Sequence, residues 1–153
     1  MFIYNPSVSA KAYIVLNLGS ASLPSNSYTK MPFNSVTDNI QKGLELDNIN
    51  YAIKITTSGI YLVCAQVRAK FNIDGYTLIT QIRRLNDNQT LLEGVIQPQG
   101  ISSSEVGVCA LPLIGLVKCN KDDKLAVYCW QDTGADAEIS SNNEESFFWA
   151  MLV

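Results

Sequence analysis

Histidine is missing altogether. Its absence removes Ser-His-Asp and Cys-His nucleophilic arrangements, histidine acid–base catalysis, and the mixed Cys/His sets that hold structural zinc. Charged side chains are also scarce, 16% of 153 residues against the usual quarter. That shortage suggests that other subunits cover part of the surface. The remaining balance is acidic, with net charge −3 and a sequence pI ≈ 4.8. A phosphate-backbone binder is typically basic, so nucleic acid is not an expected partner. The longest apolar run, Val106–Val117, is 12 residues even with Gly107, Pro112 and Gly115 counted, so membrane insertion is not expected either. The first residues, MFIYNPSVSA, carry no basic region ahead of their apolar positions, and no signal peptide is expected. No stretch reads as a helix, no glycine-rich phosphate loop precedes one, and no internal repeat is present.

What the sequence does hold is strands. After Ser58-Gly59, eleven residues from Ile60 to Lys70 run without Pro or Gly and are rich in β-formers. Alternate residues of a strand share a face. Tyr61, Val63, Ala65, Val67 and Ala69 form one face, apolar throughout. Ile60, Leu62 and Cys64 begin the other, which turns polar only at Gln66, Arg68 and Lys70. Val106–Val117, with a break or bulge expected at Pro112, and the last strand in Ser146–Val153 are likewise apolar on both faces. If these three strands share one sheet of a sandwich, one set of faces fills the core and the other needs a second cover. A contiguous apolar patch of that size marks an interface. The expectation is an obligate oligomer packed on one sheet.

The remaining chain reads as shorter strands and turns. Residues 1–7 are a lead-in, and residues 8–153 one domain. Ala10–Asn17 alternates as a first strand, Gly19–Ser27 is a loop, and Met31–Val36 with Pro32 is an edge piece. Asp38–Asn50 is polar and irregular. Tyr51–Thr56, Tyr76–Leu85 and Thr90–Gln97 are half-wet strands. Pro98–Ser104 is a loop, Asn120–Asp123 a turn before the strand Leu125–Trp130, and Asp132–Glu145 a long acidic loop. If Asn120–Asp123 closes a tight hairpin, Cys119 faces Lys124 and Cys129 faces Ile114, so those two cysteines cannot pair. With no CxxC present, Cys64, Cys109, Cys119 and Cys129 are expected as free thiols, at least three of them buried.

At this point the residues resemble a known family. Phe33, Asn39 and Leu44, followed by Ile53, Gly59 and Tyr61, follow the pattern F-x5-N-x4-L … I-x5-G-x-Y. This is similar to the signature of C1q/tumour-necrosis-factor-like jelly rolls, with Ile53 where an aromatic is usual and a gap before it two residues longer. Gly115–Leu125 resembles the family's G-x-L-x-L-x-x-G-D-x-V segment, with Asp122 in the place of Gly. Ser146-Phe147 through Met151-Leu152 resembles its closing strand. The resemblance covers residues 8–153. It implies an all-β, ten-stranded, two-sheet jelly-roll sandwich that assembles as a homotrimer about a threefold axis. It also implies that the first, central, long apolar and last strands face that axis. Ile60, Leu62, Cys64, Leu116, Phe148 and Leu152 are then expected at the trimer interface.

Fold does not imply function. Without a catalytic constellation, the chain is not expected to be an enzyme, and no cofactor or metal is expected. Asp122-Asp123 and Glu144-Glu145 read as a turn and a solvated loop. Asp132, Asp136 and Glu138 around Gly134 fit no fixed calcium-loop spacing, and Asn88-Gln89-Thr90 is a glycosylation sequon only in a secreted protein. Trp130 and Trp149, inside apolar strands, read as core or interface residues rather than sugar platforms. The expected role is a structural or adhesive module such as a phage fibre or head-fibre knob. It would assemble in the host cytoplasm onto a virion, where free thiols persist. Its expected partners are its own copies, other virion proteins and a host-surface glycan or protein. The alternative is a secreted or cell-surface C1q-like recognition domain, extracellular in location. Strand faces being used up by core and axis, ligands are expected at loops, with Gln131, Asp132, Asp136 and Asn142 as candidate contacts.

Overall fold

The computed structural model describes residues 12–40, 43–71, 76–97, 107–110, 112–142 and 145–153, with backbone alone for residues 40 and 107–110. The first half of the chain forms β1 (Tyr13–Leu18), β2 (Ala21–Leu23), β3 (Thr29–Lys30), β4 (Phe33–Ile40), β5 (Leu44–Asp47), β6 (Ala52–Ile55), β7 (Gly59–Gln66) and β8 (Arg68–Phe71). The second half forms β9 (Leu78–Arg84), β10 (Gln89–Ile96), β11 (Gly107–Ala110), β12 (Leu113–Cys119), β13 (Lys124–Gln131), β14 (Ala137–Ile139) and β15 (Phe147–Leu152).

One sheet has the order β12-β7-β15-β1-β4, and a second has β10-β9-β13-β6-β5 with β3 against β13. A third, β11-β8-β14-β2, continues the first beyond the interruptions at Val67 and Pro112. The three strands that are apolar on both faces do lie together, β12, β7 and β15 side by side. Their inward residues meet those of the second sheet in one hydrophobic cluster. Tyr61, Val63, Ala65, Val67 and Ala69 are all fully buried, so the alternation runs unbroken across the kink that divides β7 from β8.

The resemblance motifs prove to be packing motifs. Phe33, Ile53 and Tyr61 are fully buried, and the Tyr61 hydroxyl donates to the Thr57 carbonyl at 2.6 Å. A Cβ on Gly59 would sit 2.6 Å from Leu152 Cδ1, and one on Gly115 2.7 Å from Leu92 Cδ2. The second glycine therefore lets β10 of one sheet approach β12 of the other. Asp122, where the family has glycine, adopts φ 70°, a left-handed conformation that glycine tolerates best.

Several expectations change. Asn120–Asp123 is not a tight hairpin: it carries the chain from the first sheet, where β12 pairs β7, to the second, where β13 pairs β9, β6 and β3. Ile114 accordingly faces Cys64, while Cys129 faces Thr80 and Thr29. Asp123 holds the crossing, its carboxylate accepting from the Asn120 amide at 2.8 Å. Residues 38–50, polar in composition, contain the end of β4 and all of β5, which pairs β6. The loops 19–27 and 132–145 contain β2 and β14, which pair each other. Short strands with few β-formers are invisible to alternation and depend on partners far away in sequence. The edge placement of Pro32 holds, since it immediately precedes the edge strand β4. Residues 1–11 and 98–106, covering the lead-in and the Pro98–Ser104 loop, lie outside the described residues.

Candidate functional site

The outward face of the first sheet is built by register. One cross-strand row reads Ile114–Cys64–Trp149–Val15, and the next Leu116–Leu62–Met151–Tyr13. Ile60, paired with Lys118, begins a third. Ile60, Ile114 and Leu116 are 52%, 63% and 63% exposed. Tyr13, Val15, Trp149, Ala150 and Met151 line a hollow of ≈ 220 Å³ on this face. Water on so many large aliphatic and aromatic groups is unfavourable by ~25 cal/mol per Å². Exposed contiguous apolar surface of this kind is uncommon on a monomer.

Ile60, Leu62, Cys64 and Leu116 thus share a face as expected. Phe148 and Leu152 do not. Phe148 is fully buried against Phe33, ring centroids 5.7 Å apart, and pairs inward-facing Ala65 and Leu16. Leu152, four residues on, pairs Tyr61 and packs on the core. Because every residue of β15 is apolar, composition could not reveal which parity faces in; pairing with the unambiguous β7 settles it. The outward members are Phe147, Trp149 and Met151. Tyr13, Val15 and Ile114 also belong to this face, and the period-two pattern of their own strands would have found them. Trp149 on this face and Trp130 on the other sheet are both half-buried; neither is core.

The loop candidates divide. Gln131 is fully buried, its amide donating to Leu23 and Ala135 carbonyls at 2.9 and 2.7 Å and accepting from the Thr133 amide at 2.6 Å. Its hydrogen-bonding capacity is spent on folding the turn around Gly134, so it is not a ligand contact. Asp132 beside it is exposed, with one carboxylate oxygen accepting from the Thr77 amide at 2.5 Å. Asp136 and Asn142 are exposed, and β14 stands between them. Glu138 pairs with Lys70 at 3.2 Å rather than with the aspartates. Among the described residues, no three carboxylate or thiol groups cluster as a metal site would need.

Cys64, Cys119 and Cys129 are free and buried; the side chain of Cys109 lies outside the described residues. Burial pushes the Cys119 thiol up to about 11 and the Cys129 thiol up to about 12. Neither can act as a nucleophile near neutrality.

A sandwich of this topology, with an apolar outward face on its first sheet, can be compared with known proteins. Murine APRIL at pH 5.0 superposes with TM-score 0.69 at 17% identity, covering 94% of this chain and 99% of that one. The Eiger TNF from S. frugiperda gives TM-score 0.70 at 14% identity, covering 94% and 93%. The fold is a C1q/TNF-like jelly roll. At the level of sequence, no family model matches and no curated protein matches. The likeness lies in the backbone path.

Proposed function

We propose that this chain is a non-enzymatic recognition or structural module that works as a homotrimer, assembled through the outward face of the first sheet. One observation carries the reading. The isolated protomer leaves Ile60, Ile114 and Leu116 more than half exposed, in one patch with Leu62, Trp149 and Met151. The resemblance to C1q/TNF-like jelly rolls supports the same face and a threefold arrangement. Obligate interfaces of this kind bury on the order of 2,000–5,000 Å². Light scattering behind a sizing column should return three times the 16.8 kDa protomer mass at micromolar concentration. A monomer there overturns the reading.

The finer role we propose is a virion fibre or head-fibre knob, in which the trimer decorates the particle or touches the host surface. Free, buried thiols favour assembly in a reducing compartment such as a host cytoplasm. The second reading, an extracellular C1q-like or cytokine-like recognition domain, draws on the TNF-type structural neighbours. Asp132→Ala with Asp136→Ala tests the adhesive role without removing β14. Lost adsorption of the trimer to host cells supports recognition by that turn, and unchanged adsorption removes those aspartates from it. Co-purification of the chain with intact particles separates the virion from the secreted reading.

A further inference from the structure

The second sheet turns a different kind of face outward. Its register places Val95, Ile79 and Trp130 in one row, with Tyr28 beside Trp130 at 6.4 Å between ring centroids. The next row is Glu93, Gln81, Tyr128 and Lys30. Arg83 rises from the row beyond, and its guanidinium carbon lies 4.5 Å from the Tyr28 ring centroid and 4.4 Å from that of Tyr128. Its Nε donates to Gln81 Oε1 at 2.6 Å. The Gln81 amide nitrogen in turn donates to Glu93 and, at 3.3 Å, to the Tyr28 hydroxyl. Every other arginine described here has a carboxylate partner: Arg68 has Glu145, and Arg84 has Asp87 and Asp123. Among the described residues, Arg83 has none.

That arrangement fixes a guanidinium by two aromatic faces and one side-chain acceptor, and leaves its paired terminal N–H groups without an anion. A held planar fork of this sort matches a carboxylate in two parallel hydrogen bonds. The surroundings narrow the class of ligand. Trp130, Tyr28, Ile79 and the 53%-exposed Val95 make an apolar shelf on which a sugar ring could stack. Glu93, Tyr128 and Thr90 around it offer groups that bond hydroxyls. Glu93 also places a negative charge close to Arg83, and the whole chain carries net −3. A polyanion would be repelled there, whereas a ligand with one carboxylate and many hydroxyls would not.

We propose that this patch binds a saccharide bearing a single carboxylate, such as a terminal acidic sugar, with the carboxylate on Arg83 and the ring on Trp130. The site is complete within one protomer and lies on the sheet opposite the apolar face, so it does not depend on the trimer. Calorimetric titration of the native protein with the methyl glycoside of N-acetylneuraminic acid tests it, beside the methyl ester of that sugar and a short heparin fragment. The expected result is saturable binding of the acid and about ten- to hundredfold weaker binding of the ester, the range lost with one charged hydrogen-bond pair. Arg83→Lys, which keeps the charge but not the fork, should weaken the acid similarly while light scattering and melting stay as in the native protein. No saturation by about 10 mM sugar overturns the proposal. So does equal affinity for the ester, or tighter binding of the heparin fragment. The ester arm uses unaltered protein, so the test stands even where Arg83→Lys fails to fold.

Discussion

Phe148 and Leu116 offer a paired perturbation that separates core from interface. Phe148 is fully buried and packs on Phe33. Truncation to alanine removes a ring from a closed core, which costs about 3–5 kcal/mol. The lost packing lies within one protomer, so Phe148→Ala should lower the urea midpoint while particles that remain folded keep the native stoichiometry. Leu116 is 63% exposed on a lone protomer. If that face met only water, Leu116→Asp would change stability by no more than about 0.5 kcal/mol. If it packs against two neighbours, each copy buries an unpaired carboxylate, at about 3 kcal/mol or roughly two decades of affinity per copy. Light scattering at matched protomer concentrations reads the difference, because assembly and stability are linked through concentration. A Leu116→Asp protein that remains trimeric with an unchanged midpoint would refute the assignment of this face. Phe148→Ala dissociating the assembly with no loss of protomer stability would refute the assignment of Phe148 to the core.

Further outcomes follow from individual groups. Gln131→Ala should cost about 2–4 kcal/mol in urea unfolding, because it strands the Leu23 carbonyl and the Thr133 amide, while the Ala135 carbonyl keeps the Thr133 hydroxyl. A loss below about 0.5 kcal/mol would return Gln131 to the ligand candidates. The Lys124 ammonium, 2.7 Å from Asp47, holds that carboxyl down to about 2, with Asn50 helping. Its lowered value means that the stabilisation is complete above the unfolded carboxyl range near pH 4 and is lost as pH falls through about 2. Asp47→Asn should therefore cost about 1 kcal/mol at neutral pH, a cost that shrinks below about pH 4 and vanishes only well below pH 2. The opposite sign applies to Cys119 and Cys129, whose raised values keep the folded state protonated when the unfolded thiols ionise. Stability should fall as pH rises above about 9, a limb that Cys129→Ala flattens relative to the native protein. In the native protein, Cys64, Cys119 and Cys129 should react with a thiol reagent only after denaturant is added.

The architecture was legible where hydrophobic alternation was strong. β7, β12 and β15 announced themselves as doubly apolar, and their adjacency in one sheet, only supposed from that, is what the pairing shows. The motif residues Phe33, Tyr61 and Gly115 were legible because packing constrains them: two are buried rings, and the third sits under Leu92, whose methyl would have to shift for a Cβ. β2, β5 and β14 were not legible, being three or four residues long and set among Ser, Asn, Asp and Glu. Such strands form because a neighbour presents free backbone groups, and a linear reading does not contain that neighbour. The same limit explains the hairpin assigned to Asn120–Asp123. A four-residue turn is compatible with pairing or with crossing between sheets, and only the partners of β12 and β13 decide.

The candidate sites follow a related rule. An apolar strand displays its composition in sequence but hides its parity, so the doubly apolar sheet was recognisable while Phe148 and Leu152 were assigned to the wrong face of it. A polar residue shows its chemistry but hides its obligations. Gln131 looked available and is consumed by the backbone of its own turn. Arg83 looked like one polar residue on a half-wet strand, and its meaning depends on Tyr28, 55 positions earlier, and Tyr128, 45 later. Three strands must pair before those rings and that guanidinium meet. The apolar outward face of the first sheet is set by hydrophobic composition, and it can be inferred from that alone. The patch on the second sheet depends on which charges find partners, and Arg83 stands out only once Arg68 and Arg84 are seen to be paired.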